Sequence, residues 1–275
     1  MKHLEGEGSA KSSITGFWSI VFVAILAVVS GWIFTVDHEK FIHVPPQSQV
    51  QKYYDLFGFL LDWASVVEQP AVRIMIDKCN IEDGMTVVEF GYGRGTLARD
   101  LLTKFPNLNY IGIDVSKGMY ETAKNRLKEF GNRAQLHLVN DSIETMKALP
   151  GHFVYKGLSV DRFISTFVFD ALPTTTIRDI IKQTNYPVRD GGKICLTSLT
   201  SRSQIGNEKP KFYANAVIKV WQAVSRACPI CLGGCRPIDL KMQLERTWHA
   251  YQTTFHDIIV SYGVPVEIFV GTKKH

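Results

Sequence analysis

The stretch Val87-Val88-Glu89-Phe90-Gly91-Tyr92-Gly93-Arg94-Gly95 decides the fold of this 275-residue chain. Its first half is a short β-rich run, and its second half places glycine at alternate positions. Residues 96–104, which follow, have the apolar spacing of a helix. Open α/β sheets bind ligands where a strand turns into a helix, and glycine lets the backbone approach a ligand without an intervening Cβ. The stretch therefore predicts a ligand site in an α/β domain.

Two details of this stretch indicate the kind of ligand. The spacing is Gly-x-Gly-x-Gly, and Thr96 stands where a dinucleotide-binding fold has its third glycine. Glu89 precedes the glycines. A carboxylate is poorly placed beside a pyrophosphate and well placed beside an ammonium group, because opposite charges attract. The stretch therefore favours a ligand that carries a positive charge.

Acidic residues also follow the next two predicted strands. The second strand ends in Asp114, which follows Gly95 by 19 positions. A carboxylate there can accept hydrogen bonds from both hydroxyls of a ribose. The third strand ends in Asn140-Asp141-Ser142, where a carboxylate can accept an adenine amino proton.

Apolar runs of strand length alternate with amphipathic stretches in the rest of this region. The predicted strands are residues 85–90, 110–114, 135–139, 162–168 and 193–198, and the predicted helices are residues 96–104, 118–130 and 173–183. Residues 189–192 are predicted to form a turn, and residues 256–261 and 264–271 a C-terminal hairpin. This alternation predicts an α/β fold with a Rossmann-like, doubly wound, mostly parallel sheet.

Over roughly residues 82–272, these features resemble the class I S-adenosylmethionine-dependent methyltransferases. The resemblance implies a seven-stranded sheet with an antiparallel C-terminal strand, and S-adenosylmethionine as cofactor. Glu89 and the glycines would line its methionine part, Asp114 would hold the ribose, and Asp141 with Ser142 would meet the adenine. The implied cofactor residues are Glu89, Gly91, Tyr92, Gly93, Gly95, Asp114, Val115, Met119, Asp141 and Ser142. A Rossmann-like domain for another nucleotide is the alternative, and dinucleotide-dependent oxidoreduction ranks last.

A hydrophobic segment precedes this domain. Residues 14–36 carry no charge, and Trp18 and Trp32 stand near the two ends. As a helix the segment would rise roughly 35 Å, enough to cross a bilayer core of about 30 Å. The segment predicts a single-pass membrane anchor, in preference to a cleaved signal peptide, a buried helix or a transit peptide. Flanking lysines do not decide its orientation, and the supply of cofactor favours a catalytic domain on the cytosolic side.

Three parts are therefore predicted along the chain. Residues 1–36 form the tail and transmembrane anchor, residues 37–80 a connector with cap helices, and residues 81–275 the methyltransferase domain with a lid-like segment at 201–247. Within the connector, one amphipathic helix spans residues 50–67 and ends near Pro70, and a second spans residues 71–78.

The five cysteines and the overall charge limit the chemistry further. An odd, sparse set of cysteines does not predict a disulfide framework, and it favours a reducing compartment. Residues 228–238 contain three cysteines without a matching distant pair, so a mobile lid loop is preferred to a metal site and no metal is expected. The net charge of +5, without a basic patch, does not predict a nucleic-acid partner.

Asp170, just after the fourth predicted strand, is the candidate catalytic residue. It should face the transferred methyl and orient or deprotonate an acceptor, although capping of the helix near Pro173 explains it equally well. His152, His249 and His256 rank lower, because a lone histidine is more often structural.

A membrane anchor on such a domain makes sense if the acceptor resides in the bilayer. We therefore expect a lipid or lipophilic small-molecule acceptor, with Tyr54 and Arg236 as substrate contacts and the apolar residues Phe57, Phe59, Leu60, Leu61 and Trp63 as its wall. The alternatives are a membrane-tethered protein methyltransferase and an inactive cofactor-binding scaffold.

Overall fold

The structure, a computed structural model, describes residues 47–57, 61–139, 157, 159–202, 212–245 and 249–274. Its strands are β1 (Thr86–Phe90), β2 (Asn109–Asp114), β3 (Ala134–Leu138), β4 (Val160–Thr166), β5 (Val188–Leu199), β6 (Tyr251–Ser261) and β7 (Val264–Lys273). Its helices are α1 (Gln47–Phe57), α2 (Leu61–Cys79), α3 (Thr96–Lys104), α4 (Lys117–Leu127), α5 (Thr174–Thr184), α6 (Phe212–Ala227) and α7 (Leu240–Glu245).

In the described residues the strands form one seven-stranded sheet in the order β3-β2-β1-β4-β5-β7-β6. β1 pairs in parallel with β2 and β4, and β7 pairs antiparallel with both β5 and β6. This confirms the predicted Rossmann-like, mostly parallel sheet and its C-terminal hairpin.

Alternating side chains along the buried strands divide the core between the two faces of the sheet, because successive residues of a strand point to opposite faces. Val88 of β1 and Ile111 of β2 belong to one cluster, which includes apolar residues of α5 and α7. Val87 and Tyr110 belong to the other cluster, with apolar residues of α2, α3 and α4. Helices therefore cover both faces, and ligands are expected at the carboxyl ends of the strands.

The segment before β1 differs from the prediction, because Pro70 lies inside α2 instead of ending a helix. Proline removes one helical N–H and costs about 3 kcal/mol in a helix interior. Burial of Ala71, Met75 and Cys79 against the sheet offsets this cost. The end of α2 is held by Arg162 of β4, whose Nε donates to the Cys79 carbonyl at 2.7 Å.

Residues 189–192 are part of β5, where the sequence predicted a turn. Gly191 has a positive φ of 74°, and the pairing of β4 with β5 shifts its register between Val160 and Arg162. The glycines thus produce a bulge within a strand, a feature with the same sequence signature as a turn.

Four of the five cysteines form disulfides, which corrects the prediction that they do not. Cys79 at the end of α2 is joined to Cys195 of β5 across 116 positions, and Cys228 is joined to Cys231. Only the fold reveals the first pair, because packing of α2 on the sheet brings together two residues that are far apart in sequence. Cys235 is a free thiol.

Several predictions concern residues that lie outside the described ones. They include the membrane anchor at residues 14–36, the part of the connector at residues 37–46, and Phe59 with Leu60 of the proposed apolar wall. None of the helices in the described ranges is both long enough and apolar enough to cross a membrane. The division of the chain into three parts remains a prediction.

Candidate active site

The glycine loop after β1 needs glycine at two positions for reasons of space and backbone conformation. Gly91 has a φ of 77°, and its N–H donates to the Ile113 carbonyl at 2.7 Å. A Cβ at Gly91 would lie 2.2 Å from Cγ2 of Val168, which follows β4. Gly95 has a φ of 71° at the start of α3, and its N–H donates to the Tyr92 carbonyl at 2.9 Å. The loop after β1 is therefore pressed against the segment that leads from β4 to Asp170.

Gly93 differs from its neighbours because it faces open space. Its φ is 52°, and a Cβ built there would meet no atom within 4 Å. Its N–H donates to Oδ2 of Asp114 at 2.9 Å, which ties the loop to the end of β2. An uncrowded glycine beside a fixed carboxylate is suited to close approach of a ligand.

Asp114 is buried, and main-chain donors hold both of its carboxylate oxygens. Oδ1 accepts from the Ser116 N–H at 2.9 Å, and Oδ2 accepts from Gly93. Burial raises the pKa of Asp114 to about 6, although the hydrogen bonds from Ser116, Gly93 and Val115 lower it. Each oxygen keeps a lone pair for a further donor such as a ribose hydroxyl.

Glu89 is 1% exposed at the end of β1, and its Oε2 accepts a hydrogen bond from the Tyr110 hydroxyl at 2.6 Å. Burial raises the pKa of Glu89 to about 7, the Tyr110 hydrogen bond lowers it, and the negative charge of Asp114 raises it. A buried acid with a raised pKa is stabilised in its ionised form by a cationic ligand. The site therefore suits a positively charged group beside Glu89.

The predicted residues Met119 and Tyr92 are buried near Asp114. Met119 is buried in the first turn of α4, and its N–H donates to Oγ of Ser116 at 3.2 Å. Tyr92 is buried over Gly112, where a Cβ would lie 2.6 Å from the Tyr92 ring. Burial raises the pKa of Tyr92, and its hydroxyl has no hydrogen-bond partner among the residues described.

Asp55 of α1 also reaches this site, and sequence reasoning missed it. Its Oδ1 accepts from the Ser116 hydroxyl at 2.5 Å and from the Gly118 N–H at 2.9 Å. The contact places a negative charge at the N-terminus of α4, where the helix dipole favours it, and holds α1 beside the cofactor residues. A single acid on an amphipathic helix gives no sequence signal for such a role.

Asp170 is fully buried after β4, in the short helical turn Phe169–Ala171. Its Oδ2 accepts from the Leu199 N–H at 3.1 Å, whereas its Oδ1 has no partner among the described residues. Burial raises the pKa of Asp170 to about 6. The N-cap of α5 is Pro173 and has no side-chain hydrogen bond, so the alternative that Asp170 caps this helix is wrong.

Residues of the lid-like segment lie next to Asp170. The Arg236 N–H donates to the Asp170 carbonyl at 3.0 Å, and its guanidinium donates to the carbonyls of Asp170 at 3.2 Å and Leu172 at 2.6 Å. Arg236 therefore ties this segment to the loop after β4, a role that the sequence did not indicate. The Tyr54 hydroxyl lies 3.3 Å from Sγ of Cys235.

The remaining candidates are either outside the described residues or structural. Asp141, Ser142 and His152 lie outside them, so their predicted roles stay predictions. His256 bonds Oε1 of the buried Glu267 through Nε2 at 2.8 Å, and His249 is exposed. Within the described ranges, no group of three or more His, Cys, Asp or Glu side chains could hold a metal ion.

The sequence of this chain is similar to those of known methyltransferases. A family model for a methyltransferase domain matches residues 88–194. The uncharacterized methyltransferase YdaC of Bacillus subtilis (strain 168) is 30% identical over 148 residues, which cover 54% of this chain and 75% of YdaC.

Solved structures share the fold at low identity. A SAM-dependent methyltransferase from Anabaena variabilis has a TM-score of 0.60 at 16% identity, with coverage of 87% of this chain and 99% of that chain. The geranyl diphosphate C-methyltransferase of Streptomyces coelicolor A3(2), solved with Mg²⁺, geranyl diphosphate and S-adenosyl-L-homocysteine, has a TM-score of 0.52 at 10% identity. The match covers 75% of this chain and 79% of that chain.

These likenesses confirm the predicted enzyme class and its cofactor. The residues of this chain fit that cofactor, because an open glycine and two buried acids with raised pKa values lie together at the ends of β1 and β2. The sheet order, the glycine loop and the extent of the YdaC match all indicate the same family. The chain therefore belongs to the class I S-adenosylmethionine-dependent methyltransferase family.

Proposed function

We propose that this enzyme transfers the methyl group of S-adenosylmethionine to a lipid or lipophilic small-molecule acceptor at a membrane, and that residues 14–36 anchor it there. One observation carries the proposal: α1, the first described helix after the predicted anchor, is part of the site. Asp55 of α1 accepts a hydrogen bond from the hydroxyl of Ser116, which lies next to the cofactor residues. Tyr54 of α1 contacts Cys235, in the segment that lies next to Asp170.

The length of chain between anchor and site limits their separation. Ten residues, 37–46, connect residue 36 to the start of α1 at Gln47. The eleven steps from one Cα atom to the next span at most about 40 Å in an extended chain. An anchor that ends at residue 36 would thus keep the site close to the membrane surface. The fold also accommodates an isoprenoid acceptor in the geranyl diphosphate C-methyltransferase.

The residues of this chain have distinct roles in the proposal. Bound S-adenosylmethionine supplies a methyl group on a positively charged sulfur, which is already electrophilic. Glu89 would bind the ammonium group of the cofactor, Asp114 the ribose hydroxyls, and Asp141 with Ser142 the adenine. Gly93 would allow close approach of the backbone to the cofactor, and α1 would shield the site from water.

Methylation of extracted lipids tests the proposal. The full chain in phosphatidylcholine vesicles is incubated with methyl-labelled S-adenosylmethionine and a total membrane lipid extract, and label in the organic phase is counted. We expect extractable label that is lost in Asp114→Ala and retained in Asp77→Ala, a change of an exposed residue. Label found only in protein would favour the membrane-tethered protein methyltransferase. Cofactor binding without any turnover would favour the inactive scaffold.

The cytosolic orientation of the catalytic domain is a separate proposal, based on the supply of cofactor. The two disulfides oppose it, since disulfides persist mainly in oxidising compartments. Protease treatment of sealed vesicles made from the native membrane decides the matter. Digestion of the domain from the cytosolic face supports the proposal, and protection of the domain overturns it.

A further inference from the structure

Residues 228–235, which we call the cysteine turn, contain three of the five cysteines of the chain. Cys228 and Cys231 are joined by a disulfide, and Cys235 is a free thiol. The turn follows α6 directly, since the Cys228 N–H donates to the Val224 carbonyl at 2.8 Å. The proposed methyl transfer uses none of these sulfur atoms, so their chemistry is available for another role.

The two disulfides of the protein differ in their access to solvent. Cys79 and Cys195 are both 0% exposed, so a thiol in solution reaches them only after the fold opens. Cys231 is exposed, and Cys228 is half-buried. A disulfide is reduced by attack of a thiolate on one of its sulfur atoms, at a rate that depends on access. Cys231 is therefore the position where a thiol can attack the native protein.

The fold does not depend strongly on the disulfide of the cysteine turn. This bond joins residues three positions apart, whereas the bond between Cys79 and Cys195 spans 116 positions, and a shorter loop contributes less to stability. Main-chain hydrogen bonds also support the turn, because the Gly234 N–H donates to the Pro229 carbonyl at 2.9 Å. Reduction would thus loosen the turn and leave the domain folded, as a reversible change requires.

The cysteine turn packs directly against α1. A Cβ at Gly233 would lie 2.8 Å from Cε1 of Tyr53 and 3.1 Å from the Tyr54 hydroxyl. The same hydroxyl lies 3.3 Å from Sγ of Cys235. Because this interface has no space for a single added carbon atom, the position of α1 depends on the backbone of the turn.

The same helix contacts the cofactor residues. Asp55, the residue after Tyr54, accepts hydrogen bonds from the Ser116 hydroxyl at 2.5 Å and the Gly118 N–H at 2.9 Å. The Ser116 N–H donates to Oδ1 of Asp114 at 2.9 Å. One helix therefore connects the disulfide with the cofactor site, and the bond itself has two discrete states that this connection can transmit.

We propose that the bond between Cys228 and Cys231 is a reversible redox site, that a dithiol reduces it by attack on Sγ of Cys231, and that its reduction weakens cofactor binding by loosening α1. The inference goes beyond the proposed function. It concerns the cofactor side of the site and holds for any methyl acceptor.

The reaction is balanced by the dithiol alone. One thiolate of the dithiol attacks Sγ of Cys231 and forms a mixed disulfide, while the bond to Sγ of Cys228 breaks and its electron pair stays on that sulfur, which takes up a proton. The second thiolate of the dithiol then attacks the dithiol's own sulfur in the mixed disulfide. Cys231 leaves and takes up a proton, and the dithiol leaves as an internal disulfide. Two electrons have passed from the dithiol to the protein.

The first test compares the two disulfides within one molecule. The full chain in detergent is treated with dithiothreitol, and its free thiols are alkylated at intervals and located by peptide mass spectrometry. We expect Cys228 and Cys231 to become labelled at least about tenfold faster than Cys79 and Cys195, because only the first pair is accessible. Replacement of dithiothreitol by oxidised glutathione, the electron acceptor, should restore the bond. Equal labelling rates for the two pairs would overturn the inference.

The second test measures the effect of reduction on α1 and on cofactor binding. In the selectively reduced protein we expect amide hydrogen exchange in α1 to be at least about fivefold faster, and Kd for S-adenosylmethionine by calorimetry to be higher by about fivefold or more. Both changes should reverse on reoxidation. Unchanged exchange and affinity after selective reduction would show that the bond is only a structural link.

Matched variants identify the residues involved. The double variant Cys228→Ser, Cys231→Ser should behave like the reduced protein and should not respond to dithiothreitol. Cys235→Ser should respond like the wild type, since Cys235 is outside the bond, and a lost response would overturn the assignment. Asp55→Asn should lose most of the redox effect on affinity, because its contact connects α1 with the cofactor residues; a full effect would refute the route through α1.

The outcomes are independent of the proposed function. Labelling, hydrogen exchange and cofactor binding require no methyl acceptor, so a failure of the lipid assay leaves them interpretable, and their failure leaves the lipid assay interpretable. If the double serine variant fails to fold, the comparison of oxidised with selectively reduced wild type decides.

Discussion

Replacing Glu89 with glutamine should make the cofactor-free enzyme more stable while weakening its hold on S-adenosylmethionine. Glutamine has the same shape, and its carbonyl can still accept the hydrogen bond from Tyr110. What disappears is the cost of ionising a fully buried acid. The pKa of Glu89 is raised from 4.5 to about 7, and at about 1.4 kcal/mol per pKa unit this corresponds to about 3 kcal/mol.

The free energy of unfolding should depend on pH, because Glu89 binds its proton more tightly in the folded state than in the unfolded state. A raised pKa means that the folded state holds its proton at a pH where the unfolded chain has released it, so stability falls as the pH rises from about 4.5 to 7. The penalty is nearly absent at pH 4 and nearly complete at pH 8. Urea unfolding of the full chain in detergent should therefore give similar free energies for wild type and Glu89→Gln at pH 4. At pH 8 the variant should be more stable by up to about 3 kcal/mol.

Glu89→Gln should bind S-adenosylmethionine more weakly, although it is more stable. Loss of a charge-assisted hydrogen bond costs about 1.5–3 kcal/mol, or roughly a 10- to 100-fold weaker Kd for S-adenosylmethionine by calorimetry. A group that destabilises the free enzyme and strengthens ligand binding is the expected signature of a binding residue.

A second buried glutamate in the described residues serves as the control. Glu267 is 0% exposed, and its carboxylate accepts from the Thr200 hydroxyl, the N–H groups of Leu240 and Lys241, and the His256 ring. Glu267→Gln should lower stability by at least about 2 kcal/mol, because an amide nitrogen cannot accept these hydrogen bonds, with cofactor affinity unchanged. If Glu89→Gln behaved like Glu267→Gln, the role given to Glu89 would be wrong.

Three further predictions concern other parts of the molecule. Gly93→Ala and Gly84→Ala both place alanine at a positive φ in open space, so each should lower the free energy of unfolding in urea by about 1–2 kcal/mol. Calorimetry should show weaker S-adenosylmethionine binding for Gly93→Ala alone, and equal affinities of the two variants would contradict the place of Gly93 in the cofactor site. Replacing Cys79 and Cys195 together with alanine should cost about 3–5 kcal/mol in urea unfolding, because the disulfide closes a loop of 116 positions; a variant of unchanged stability would refute this. Asp55→Asn should speed amide hydrogen exchange in α1 about tenfold, since a charge-assisted contact is lost, and unaltered exchange would show that the contact does not hold α1.

The sheet and the cofactor side of the site could be predicted because their signals are local. β1 and the glycine loop are contiguous in sequence, and Asp114 follows at a fixed spacing from Gly95, so one stretch located both acids beside the loop. The spacing of apolar residues similarly located α3, α4 and α5 within a few residues of their observed ends.

The part of the site around Asp170 could not be predicted, because it is built from segments that are distant in sequence. Asp55 and Cys235 carry no motif, and each becomes informative only through a contact between separate parts of the fold. The sequence predicts Arg236 as a substrate contact, since an arginine in a loop resembles a ligand contact, yet its nitrogens donate to main-chain carbonyls. The sequence predicts a helix end near Pro70, because the burial of Ala71 and Met75 that compensates for a proline within α2 depends on tertiary packing.

The bond between Cys79 and Cys195 also determines what a protease can do to this enzyme. Both cofactor acids, Glu89 and Asp114, lie within the covalent ring that it closes, together with β1 to β4. A single cut anywhere between residues 79 and 195 would therefore open the ring without releasing a fragment, and the two pieces would separate only under reducing conditions. The half of the domain that binds the cofactor is thus covalently retained after cleavage.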